Sequence, residues 1–190
     1  MMKSLALALL LAAAPIASAA TPAPAAPAPA DIIFAGDTYK FATREVNEAR
    51  IAEHYLREGE TNERFSRRFT VADQLKATSA KSVALGLLGL ARMRTPGIAP
   101  ETFASESAPD HDISIAWYDM LDDGSAVEYH AARFVDLKGG GVREYHLTVR
   151  RYTNGQPTDA VFGPLRGQTE PITLQVMELI ATFDRAPSKK

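Results

Sequence analysis

The feature that most limits the fold of this 190-residue chain is a pair of long alternating segments around a glycine run. Ala126 to Asp136 and Val142 to Tyr152 read as strands, and Lys138-Gly139-Gly140-Gly141 lies between them. Alternation over this length gives each strand two distinct faces. A short glycine-rich link closes two such strands into an antiparallel hairpin. A three-residue loop, Lys138-Gly139-Gly140, sets Leu137 opposite Gly141, Glu128 opposite Arg150 and His130 opposite Thr148. Val127, Tyr129, Ala131 and Val135 then share an apolar face with Tyr145, Leu147 and Val149, and Phe134 breaks the pattern.

The tripeptide Glu-Tyr-His occurs in both strands, so the other face carries Glu128, His130, Glu144 and His146 together. Two imidazoles and two carboxylates are a donor set that suits zinc. In this register His130 and His146 are diagonal neighbours, about 7 to 8 Å apart. Glu128 and Arg150 would form a cross-strand ion pair. The face therefore has two readings: a zinc site, or a solvated polar surface that needs no cofactor.

The remaining elements follow from changes of period. Tyr39 to Tyr55 reads as one bent strand or two short ones, and Glu58 to Asn62 as a turn. Phe65, Arg67, Phe69 and Val71 alternate against Ser66, Arg68 and Thr70 as a strand with one buried face, and the basic cluster Arg64, Arg67 and Arg68 reads as part of a largely solvated strand. Thr78 and Ser79 suit a helix N-cap. Val83, Leu87, Leu90 and Met93 or Arg94 then recur at helical spacing until Pro96-Gly97. Gly97 to His111 has no period and reads as a long loop, a candidate binding lip. Ile113, Ile115 and Trp117 begin a further strand, which turns at Asp122-Asp123-Gly124. Thr169, Glu170 and Pro171 open a last helix with a stripe of Ile172, Val176, Leu179, Ile180 and Phe183. The order β-β-β-α-β-β-β-α specifies an α+β fold: an antiparallel sheet of about six strands with two helices packed on it.

The N-terminus addresses the chain. Lys3, the apolar run Leu5 to Leu11 and Ala17-Ser18-Ala19 have the form of a secretory signal peptide over residues 1–20. The Ala/Pro segment 21–30 reads as an extended linker, and 31–187 as one folded domain. There is no cysteine, so disulfides, thiolate metal sites and a lipid-modified cysteine are excluded. These features favour the periplasm, with no membrane span. The formal net charge of −2 and the lack of a basic, aromatic stripe argue against nucleic acid.

Three stretches resemble a group of uncharacterised exported bacterial proteins. They are His54-Tyr55-Leu56 with Gly59-Glu60 and Phe65-Ser66, then Ser114 to Leu121, then the strand pair with Glu128, Arg133 and Arg150. The resemblance spans most of Tyr39 to Thr153 and carries no activity with it. The element order is also similar to the PsbP-like sandwich, which implies an antiparallel sheet flanked by helices and nothing about function.

No Gly-x-Ser-x-Gly, His-Glu-x-x-His or Ser-x-x-Lys occurs beyond the signal segment. The leading expectation is thus a non-catalytic binding or accessory protein that takes a protein partner or a small ligand. Two alternatives remain: a zinc protein using Glu128, His130, Glu144 and His146, and a hydrolase with His111 as its acid or base, flanked by Asp110 and Asp112.

Overall fold

The computed structural model describes residues 29–94, 101–104, 108–157, 160–161, 180 and 183. The strands are β1 (Ile32–Phe34), β2 (Asp37–Val46), β3 (Arg50–Leu56), β4 (Arg67–Gln74), β5 (Glu101–Ala104), β6 (Asp112–Met120), β7 (Ala126–Asp136) and β8 (Val142–Tyr152). The helix α1 (Ala80–Arg94) lies between β4 and β5. The strand order is β1-β2-β3-β4-β8-β7-β6-β5, with every pairing antiparallel. Strands β2 to β8 form one curled sheet, and β1 folds back on β2 at its edge.

The expectation of about six strands and two helices is therefore corrected: the described residues hold eight strands and one helix. Strand β1 is three residues long, too short to show a period. It is held by a two-residue turn in which Ala35 and Gly36 both take positive φ, 51° and 81°, the backbone that a tight hairpin needs. Strand β5 lies inside the stretch expected to be a loop and is only four residues long, paired with β6. The expected C-terminal helix lies outside the described residues apart from Ile180 and Phe183, which both pack on the sheet.

One face of the sheet carries an aromatic core. Phe34, Tyr39, Tyr55, Phe69, Tyr129 and Tyr145 are buried there. Phe183 makes ring contacts with Phe34, Phe69 and Tyr145 at 5.0 to 5.8 Å between centroids. Helix α1 covers part of the opposite face. Ser79 caps it by accepting the Ser82 N–H, and Asp136 at the end of β7 accepts the Ala80 N–H.

The buried side of α1 is Ala80, Ala84, Leu88 and Ala91, not the expected Val83, Leu87, Leu90, Met93 stripe. Val83 and Leu87 are only partly buried, while Leu90 and Met93 are exposed. Small side chains let the helix backbone sit close to Ile113, Ile115, Trp117 and Phe134. Phe134 breaks the alternation of β7 because this end of the sheet is apolar on both faces.

Candidate functional site

The polar residues of the hairpin meet where α1 does not reach. The loop in β7–β8 has the expected register: Leu137 donates its N–H to the Gly141 carbonyl, Glu128 faces Arg150, and His130 faces Thr148. Strand β4 adds Thr70 opposite His146 and Arg68 opposite Thr148. Strand β3 adds His54 opposite Thr70, and β6 adds Trp117 opposite His130. The indole of Trp117 stacks on His130, with centroids 4.6 Å apart. At the other end of the band Phe65 lies beneath the guanidinium groups of Arg150 and Arg68, 4.0 and 4.6 Å from its centroid.

Four of these side chains form one line. Glu128 Oε2 lies 3.4 Å from His130 Nε2. His130 Nδ1 lies 3.0 Å from His146 Nε2. His146 Nδ1 lies 3.0 Å from Glu144 Oε1. An arginine closes each end: Arg150 bonds Glu128 Oε1 at 2.6 Å, while Arg50 and Gln74 bond Glu144 Oε2 at 3.2 and 2.9 Å. The face is not solvated. Glu128, His130 and Glu144 are buried, and Thr148, 3.5 Å from the facing nitrogens of both histidines, is 1% exposed.

The sequence brings the four residues together, but the carboxylates stand behind the rings. Each glutamate meets the ring nitrogen that points away from the other histidine. The reason is strand geometry. Residues two apart on one strand share a face and lie side by side, so Glu128 reaches His130 and Glu144 reaches His146. The rings then lean across the ladder and meet, closing the diagonal. Among the described residues, no three histidines or carboxylates gather around a common point.

A proton count exposes an imbalance. A neutral imidazole has one N–H and one lone pair, and an ionised carboxylate only accepts. Three contacts in line need three protons: two neutral rings supply two, and one imidazolium beside a neutral ring supplies all three. The loosest of the three contacts is at His130 Nε2, which is buried, 3.4 Å from Glu128 Oε2, and makes no hydrogen bond. The charges near this line divide as burial and pairing dictate. Burial pushes the His130 pKa down, with Glu128 pulling it up and His146 pushing it down further. Burial would raise the carboxyl of Glu128, but His130 and Arg150 hold it down to about 2. Burial would likewise raise Glu144, and His146, Arg50 and Gln74 hold it down to about 2.

Arg68 stands apart from this arrangement. Its Nε is buried without a hydrogen-bond partner, and among the described residues it makes no ion pair. Withdrawal from water lowers its pKa, as do the charges of Arg150 and Arg50, against the pull of Glu128 and Glu45. The arginine cluster, expected on a largely solvated strand, is instead engaged residue by residue. Arg67 bonds Asp37 at 2.7 Å, Arg64 lies over the ring of Tyr152, and Arg68 turns onto the polar band. The even numbering that Arg68 shares with Thr70, opposite Thr148 and His146, was the available signal, but it required the β4–β8 pairing.

His111 is in the turn before β6, and its Nδ1 meets Asp136 Oδ2 at 2.7 Å. The other oxygen of Asp136 caps α1. The dyad thus fastens the helix to the sheet, and the His111 side chain is otherwise 70% exposed. Asp110 pairs instead with Lys81, and Asp112 with Arg133.

Compared with protein-family models, curated proteins and solved structures, the chain gives no significant match to any of them.

Proposed function

We propose that this chain is an exported, non-catalytic accessory protein of the periplasm that binds a small anion or the acidic group of a partner at Arg68. The observation that carries this reading is Arg68, whose Nε is buried without a hydrogen-bond partner and which feels Glu128 and Glu45 only at a distance, making no ion pair among the described residues. A cation removed from water is costly unless it is paired. Its planar fork is shaped for a carboxylate or a phosphate oxygen pair. Arg150 beside it is committed to Glu128 and so adds positive field without competing for the same role.

The absence of catalysis is supported by how the acid–base groups are used. Glu128 and Glu144 are each held by an arginine and a histidine, and Asp136 is spent on His111 and the helix N-terminus. None of them is poised with a free lone pair beside an open nucleophile.

The test is calorimetric titration of the full chain with inorganic phosphate and with acetate. Binding that is lost in Arg68→Gln and partly kept in Arg68→Lys is the expected result. Equal heats for Arg68→Gln and the unaltered chain would remove Arg68 from the ligand site.

A further inference from the structure

With both rings neutral, the line Glu128–His130–His146–Glu144 is one proton short of filling its own contacts, and a cation between the rings would complete it independently of the anion at Arg68. We propose that His130 and His146 hold one transition-metal ion of the zinc or copper(II) class between Nδ1 of His130 and Nε2 of His146. Thr148 Oγ1 supplies the nearest neutral oxygen, and Glu128 and Glu144 act from behind the rings.

Three features of the geometry carry the inference. First, the two nitrogens face one another at 3.0 Å, and Thr148 Oγ1 lies 3.5 Å from each. Zinc bonds to imidazole are about 2.0 to 2.1 Å, so two imidazole nitrogens on a tetrahedral ion lie about 3.3 Å apart. A ring displacement of a few tenths of an ångström reaches that spacing. Second, an ion in the gap accepts both facing lone pairs, so both ring protons move to the outer nitrogens. His130 Nε2 then directs its N–H toward Glu128 Oε2, 3.4 Å away, and His146 Nδ1 donates to Glu144 at 3.0 Å. Both facing lone pairs are then used, and each outer N–H points to a carboxylate. Third, a carboxylate on the far nitrogen of each histidine is how metal-bound imidazoles are oriented and made more basic. Here both rings have one, and each carboxylate is itself anchored by an arginine.

The four residues that the sequence put forward as ligands are thus divided between two roles. The histidines bind, and the glutamates position them. Two nitrogens and one hydroxyl leave a place for water, so the expected site is exchangeable rather than a closed structural one.

The test uses the full chain stripped of metal, with Zn²⁺ and Cu²⁺ added separately and binding read by native mass spectrometry and calorimetry. One ion per chain is expected. His130→Gln and His146→Gln should each abolish that ion, and Glu144→Gln should weaken it roughly ten- to a hundredfold without changing stoichiometry. Circular dichroism checks that each variant is folded. If the unaltered chain binds neither ion, and nitrogen-resolved NMR shows the two rings sharing a single added proton, the occupant is a proton and the proposal is overturned. An ion that survives both histidine substitutions overturns it equally. Neither result bears on Arg68, whose titration with phosphate is scored separately.

Discussion

Replacing Gly86 and Gly89 with alanine should make the fold more stable, by an amount that follows from the position of α1. Both glycines lie inside the helix, and a Cβ built on either meets nothing within 4 Å. Neither has positive φ, so no backbone strain is relieved by glycine. A helical glycine costs about 0.8 to 1 kcal/mol relative to alanine, mostly through the freedom it loses on folding. The helix is seated by Ala80, Ala84, Leu88 and Ala91, so its gain is transmitted to global unfolding. The double variant should therefore gain about 1.5 to 2 kcal/mol, near additive because the new methyl groups point into open space. For a domain of this size that corresponds to a rise in Tm of about 3 to 8 °C. Urea unfolding and calorimetry measure both quantities. The matched control is Gly141→Ala, where φ is +88° and the added Cβ would lie 2.9 Å from the Gln74 carbonyl oxygen. That variant should lose at least about 1 to 2 kcal/mol from handedness alone. A loss of stability in the double variant would refute the reasoning, since it would mean that something already occupies the outer face of α1.

Two further outcomes are expected. Ala84→Leu should cost about 1 to 3 kcal/mol by overfilling the contact between helix and sheet, whereas Leu90→Ser should stay within about 0.5 kcal/mol; urea midpoints in the reverse order would restore the stripe through Leu90 as the buried one. Stability of the metal-free chain should fall as pH drops below about 6.5, because burial, with the charge of Arg68, depresses His54, burial depresses His130, and the unfolded chain binds those protons first. A second loss should begin below about 4.5, where the unfolded chain protonates glutamates that the fold holds at about 2. Urea midpoints that stay level from neutral pH to about pH 5 would contradict the histidine assignment.

The legible parts of the sequence were those governed by period and turn length. The β7–β8 register could be read to the residue because a glycine run fixed the loop and both strands were long. The face shared by Glu128, His130, Glu144 and His146 followed directly. What could not be read depended on partners distant in sequence. Arg50, Gln74 and Arg68 join the site only through the β3–β4–β8 ladder. The buried face of α1 differs from the expected stripe because periodicity rewards large side chains, and here Ala80, Ala84 and Ala91 are the residues that face the sheet, their small size permitting close approach. Strands β1 and β5 are stabilised by pairing with β2 and β6, not by any pattern of their own. The two carboxylates were correctly placed on a face, but their reach toward the outer ring nitrogens is set by side-chain direction, which alternation does not encode.

The cross-strand charges have a consequence for how the hairpin chooses its alignment. If β7 and β8 slid past one another by two residues, every apolar side chain would keep its side, so hydrophobic burial would scarcely object. The charges would object. Glu128 would leave Arg150, and a matching slip on β4 would part Arg143 from Asp73, a pair joined by two bonds of 2.7 Å. Each misaligned state would bury an acid or a base with no counterpart, at a cost of several kcal/mol. The aromatic contacts supply adhesion that tolerates many alignments; the charged pairs, one on each face of the sheet, discard all but one.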